Sequence, residues 1–242
     1  MLPRRVAKHV KARDWAAVLL DFVIVVAGVF IGIQLGNWND DRQTRQSFYA
    51  AQNRVLAETR ANLETTEQYL IDVDARLAQV RTGIAALRSC QESESAKQAV
   101  IDGAQLIRGT LTLRLRKTAL TAMTGNDNFL SLLLESEREE LKEFQRQLEQ
   151  TQSTLDWLEA RPFTNHIENH PFVEFGELES LPSIDGVQLR KLVINQPMAV
   201  ICEHEAFSKS FYLWERTATF QTIRADQLRT RLLQMIRSLD EE

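Results

Sequence analysis

Helix breakers are scarce in this chain, with nine glycines and five prolines in 242 residues, and Pro162, Pro171 and Pro182 fall within one short interval. That scarcity argues against a fold of short strands and tight turns and favours long helices. Only two cysteines occur, Cys90 and Cys202, and without a C-x-x-C spacing they do not suggest a zinc or dithiol redox centre. A glycine-rich phosphate loop, a G-x-S-x-G nucleophile turn and an H-E-x-x-H pair are all missing. Phosphoryl transfer, acyl transfer and metalloprotease chemistry therefore have no local signal, and the chain is expected to be no enzyme and to need no cofactor.

Long apolar runs are equally few, because there is one. The stretch between Trp15 and Trp38, AAVLLDFVIVVAGVFIGIQLGN, is interrupted only by Asp21 and Gln34, and at ~1.5 Å per residue it matches a hydrocarbon core of ~30 Å. The two tryptophans stand where an indole is most stable, at the two water interfaces, and Arg4, Arg5, Lys8, Lys11 and Arg13 precede the span. This asymmetry places the amino end in the cytoplasm. A cleaved signal peptide has a shorter apolar stretch and a small-x-small cleavage site, which this run does not match. A buried core helix would need a second long apolar segment as partner, but LSLLL at 130–134 and LVINQPMAVI at 192–201 are short or interrupted. The expected division is a basic cytoplasmic tail at 1–15, a transmembrane helix at 16–36, and an external helical bundle at 37–242 with a cap at about 161–185.

Taking the five basic and two acidic side chains of residues 1–36 from the totals of 29 and 33 leaves 24 and 31, a formal charge of −7 on the external part. An acidic body excludes nucleic acid as partner, because both that contact and adhesion to anionic lipid rely on clustered Lys and Arg.

Within that body Leu56, Leu63, Leu70, Leu77 and Ile84 recur every seven residues, with Thr59, Thr66, Val73, Val80 and Leu87 between them. The repeat predicts a helix over 40–89 that buries a narrow seam. Asn37, Asn39 and Asp40 could cap a new helix there, or the membrane helix could run on without a break. A second stripe, Val100, Ala104, Ile107, Leu111, Leu115, Thr118 and Ala122, predicts a return helix stopped at Gly125. Leucines at 134, 141, 148 and 155, with Phe144 and Leu158, predict a third helix that ends at Arg161-Pro162. The cap follows, then a short helix over 183–195. A last helix over 198–239 aligns Phe207, Phe211, Trp214, Ala218, Gln221, Ala225, Leu228, Leu232 and Leu239. The fold class is all-α: a single transmembrane helix followed by an elongated antiparallel helical bundle.

Gly28, Gly32 and Gly36 form a G-x-x-x-G-x-x-x-G ridge on one face of the span, suited to close approach of a second helix, although glycine is common in membrane helices generally. Asp21 is a carboxylate inside the span, but a proton relay would need further acids or a histidine there. His166 and His170, with His204 beyond Cys202, are the clustered ligand-type side chains; surface histidines with structural hydrogen bonds are the simpler reading, and no metal site is assigned. Cys90 and Cys202 both lie outside the cytoplasm, where a disulfide is expected and a pair of buried free thiols is the alternative.

Residues 21–39, DFVIVVAGVFIGIQLGNWN, preceded by a basic tail and Trp15, resemble the membrane signature of a bacterial family of single-pass proteins of unknown function. In that family an acidic residue opens an I/V/G-rich span that closes on N-W-N; Asp21 matches the acid, Gly28 and Ile33 fall within the span, and Asn37, Trp38 and Asn39 match the close. The resemblance implies a bacterial inner-membrane protein with a periplasmic domain, and implies no activity, substrate or catalytic residue. The expected role is contact with the lipid bilayer and with protein, as a homo-oligomer or with an envelope partner. The alternative is a sensor-like bundle that binds a small ligand and signals through another protein, because a tail of about fifteen residues cannot form an output domain.

Overall fold

The computed structural model describes residues 15–109, 111–160, 167–180 and 188–240. The basic tail with Arg4, Arg5, Lys8, Lys11 and Arg13, and the cap residues Pro162, His166 and Pro182, lie outside the described residues. The first helix, α1 (Trp15–Ser89), is unbroken over 75 residues, ~110 Å at ~1.5 Å per residue. Asn37, Asn39 and Asp40 therefore do not start a new helix. No proline lies in α1 and no glycine lies between Gly36 and Gly83, so nothing there outweighs helix propagation.

The remaining elements fold back along the outer part of α1. They are α2 (Glu94–Leu106), α3 (Thr118–Thr124), α4 (Asp127–Leu130), α5 (Glu135–Ala160), a 3₁₀ turn (Ile167–Asn169), β1 (Val173–Ser180), β2 (Gln188–Ile194), α6 (Met198–Glu203) and α7 (Glu205–Asp240). α7 runs antiparallel to α1 and is held to it by Arg60–Asp240 at 2.8 Å at its end and by Arg81–Glu215 at 2.7 Å further in. All nine residues expected on the α7 stripe are buried. On α1 the series Thr59, Thr66, Val73, Val80 and Leu87 is buried, but Leu56, Leu63 and Leu70 only flank the core, and Val55, Asn62 and Tyr69 occupy the centre instead. α1 meets partners on several sides, so its buried face is wider than a two-helix seam.

The return helix expected through Ala122 is interrupted. α2 stops at Leu106, and residues 111–117 form neither helix nor strand. The Asn62 side chain on α1 takes both backbone groups of Arg116, donating to its carbonyl at 2.7 Å and accepting from its N–H at 2.8 Å. Gln152 on α5 likewise accepts from Leu115 N–H at 2.9 Å and donates to the Leu113 carbonyl at 3.0 Å. Two side-chain amides thus supply the pairing that a neighbouring strand would. The sequence L-T-L-R-L-R carries a period of two, which fits both this pairing and the burial of Leu113. Glu58 then caps α3, accepting from Ala119 and Leu120 N–H at 3.0 and 3.2 Å. Leu134 precedes α5 and is exposed, whereas Leu130 and Leu133 are buried in its place.

Where a short helix is expected over 183–195, residues 188–194 form β2, paired antiparallel with β1 and with an irregularity between Phe175 and Leu178. Leu192 and Ile194 point into the core, an alternation that a helix would not satisfy. A Cβ at Gly176 would lie 2.8 Å from Val193 Cγ2, so a larger residue at the irregularity would have to displace that side chain. The last helix is also divided: His204 is extended (φ −86°, ψ 97°) and ends α6, and its carbonyl accepts from Phe207 and Ser208 N–H to start α7. The apolar spacing already slips there, from Ile201 to Phe207.

Candidate functional site

The membrane-type segment of α1 is long and apolar enough to cross a bilayer, and none of its most apolar window is buried against the rest of the chain. Trp15 and Trp38 are exposed at its two ends, 76% and 61%. Asp21 and Gln34 lie between them, also exposed. A Cβ added at Gly28, Gly32 or Gly36 would meet nothing within 4 Å, so the ridge is open. At ~100° per residue its face continues beyond the span through Asn39, Gln43, Gln46, Ala50, Arg54 and Ala57, all exposed, with Arg54 as the one charge on that stretch. The body packs on a different face, through Phe48, Ala51 and Val55. Arg42 sits 6.0 Å from the Trp38 ring centroid, a cation–π contact at the end of the span that the sequence did not single out.

At the far end of the body the chain brings together residues that lie far apart in sequence. His170 Nε2 is 3.0 Å from His204 Nδ1, and both rings pack edge-on against Phe172. Burial and then the neighbouring His204 hold His170 below the ordinary imidazole range. Among the described residues no group of three or more His, Cys, Asp and Glu is placed to hold a metal ion.

Cys90 and Cys202 also meet, as free thiols. Cys90 closes α1 in the left-handed region at φ 49°, and its thiol lies 3.6 Å from the Met198 carbonyl. Burial and the hydrogen-bonded Cys90 push the Cys202 thiol up to about 12. Glu92, two residues past Cys90, caps α6 from below by accepting from Met198 and Ala199 N–H at 3.4 and 3.3 Å.

A third feature was not read from the sequence. Between α5 and α7 runs an open groove of about 560 Å³, walled by glutamines, threonines and two arginines. Its signal in the sequence is a repeat, Arg224-x-x-Gln227 and Arg231-x-x-Gln234, alongside the apolar stripe of α7.

Comparison of the chain with family models, with curated proteins and with solved structures finds no match.

Proposed function

We propose that this is a non-enzymatic, single-pass protein of the bacterial inner membrane, with its amino end in the cytoplasm and a periplasmic helical body that makes protein contacts. The carrying observation is the unbroken α1, which joins the exposed apolar span to the packed body as one rod. A rod of this kind transmits position: whatever packs on the span fixes where the body stands. The open glycine ridge supports a second copy as one partner. The basic residues before the span support the orientation, and the resemblance of residues 21–39 to a bacterial membrane family supports the location.

Three measurements test this. A periplasm-active reporter fused behind Glu242 is expected to be active, and the chain is expected to stay in the pellet after a carbonate wash. Crosslinking in native membranes is expected to give a dimer or a discrete heteromeric species. A cytosolic reporter signal, or monomer alone with no partner, overturns the proposal.

A further inference from the structure

The groove between α5 and α7 departs from the charge balance of the body. The body is acidic overall, yet of the groove's lining residues the only carboxylate is Asp226, and that one is paired with Arg229 at 2.8 Å. Arg224 and Arg231 are both exposed, and each donates to a neutral amide, Gln227 and Gln234, at 3.1 Å. Glu143 feels the charge of Arg231 but is itself held by Arg146. Two guanidinium groups therefore stand in the groove without an ion-pair partner among the described residues.

Their spacing is one heptad, which is ~10.5 Å along the helix. The opposite wall repeats in step, with Gln147, Thr151 and Thr154 at i, i+4 and i+7 of α5. Beneath them Phe144, Leu148 and Leu228 form an apolar floor. An open trough does not bury a small molecule on most sides, as ligand pockets do. A heptad-periodic trough between two helices is the shape that receives a third helix, with polar walls that select for charge and register rather than raw affinity.

We infer that this groove seats an acidic helix of a different protein, one that presents carboxylates seven residues apart to Arg224 and Arg231. The inference deepens the protein-contact reading above and rests on it, naming the surface and the chemistry of the partner.

The test places a photo-crosslinking amino acid at Thr151 of the full-length chain in native membranes, with Ser153, about 200° around the same helix, as control. A discrete protein adduct from Thr151 and not from Ser153 is expected, with its crosslinked site in a helical segment carrying Asp or Glu at seven-residue spacing. The exposed pair Arg224→Gln and Arg231→Gln should reduce that adduct at least tenfold while leaving the thermal midpoint unchanged. No adduct, an adduct to a second copy or to a non-acidic segment, or an adduct insensitive to the double substitution overturns the inference. The carbonate wash of the same membranes reports separately on anchoring, so failure of the groove and failure of the membrane reading are distinguishable.

Discussion

His170 and His204 form a directional hydrogen bond across the cap junction, with their rings at 90° and Nε2 of the first 3.0 Å from Nδ1 of the second. The direction follows from a third group: Phe172 N–H donates to His170 Nδ1 at 3.3 Å, so Nδ1 carries no proton and Nε2–H must donate to His204. Protonation of His170 at Nδ1 removes the acceptor for Phe172 N–H. The junction between the cap and the break before α7 is thus supported by the neutral form of the His170 ring.

Acid should loosen this junction. Because His170 titrates below its unfolded value, the unfolded chain binds more protons as pH falls from about 6.5, and the stability contributed by the neutral ring is present above that pH and lost below it. Glu168 and Glu205, near the two histidines in sequence, are held by Arg108 and Lys209 and remain in any variant, so the comparison is between His170→Gln and the parent. Thermal midpoints at pH 7.5 and 5.5 in mild detergent should fall less in the variant; equal falls would falsify the role of the pair.

Oxidation should join Cys90 to Cys202. With oxidised glutathione, the exposed Cys90 thiolate attacks the disulfide and releases one glutathione thiol. Cys202 then displaces the second, leaving one intramolecular bond and two glutathione thiols. Burial still raises the Cys202 thiol once Cys90 is in the mixed disulfide, so the second step is slow at neutral pH and faster at pH 9. A faster-migrating band on non-reducing gels, absent in Cys202→Ser, is the expected readout. The closed loop should stabilise the body by up to ~4–5 kcal/mol.

Glycines in the body and in the span should respond in opposite ways. A Cβ at Gly103 would fall 2.6 Å from Phe211 Cε1, so Gly103→Ala is expected to cost about 1–3 kcal/mol by overpacking the α2–α7 contact. Gly32 has nothing within 4 Å, and Gly32→Ile should leave the melting of the body unchanged while abolishing any crosslinked dimer. A dimer that survives Gly32→Ile does not use this ridge.

Tyr69 should improve when its hydroxyl is removed. The ring is buried and the hydroxyl has no hydrogen-bond partner among the described residues; burial, then Glu159, push its pKa up to about 12. Tyr69→Phe is expected to raise stability by about 1 kcal/mol, read as a higher denaturant midpoint. A loss of stability would show that the hydroxyl is satisfied.

Asn62 should matter more than a polar residue on a helix usually does. Replacing it by Ala leaves Arg116 N–H and C=O without their partner, at a cost of about 2–3 kcal/mol, and hydrogen exchange at Arg116 should accelerate. Unchanged protection there would mean that other groups hold this segment.

The long helices, the apolar span and the α7 stripe are legible in the amino-acid order, because periodicity and the scarcity of breakers act within one segment and need no partner. That order is ambiguous where two periodicities fit the same letters. Leu111 and Leu115 lie on a helical stripe and also on alternate positions of a strand, and only Asn62 and Gln152, 37 to 54 residues away, decide between them by taking the backbone groups. Leu192 and Ile194 became strand for a similar reason, since Gln105 on α2 accepts from Leu192 N–H at 3.0 Å and β1 supplies the remaining pairs. Only the packing of separate helices side by side fixes the direction of the His170–His204 bond and the trough between α5 and α7, whereas the pairing of Cys90 with Cys202 is already expected from the sequence.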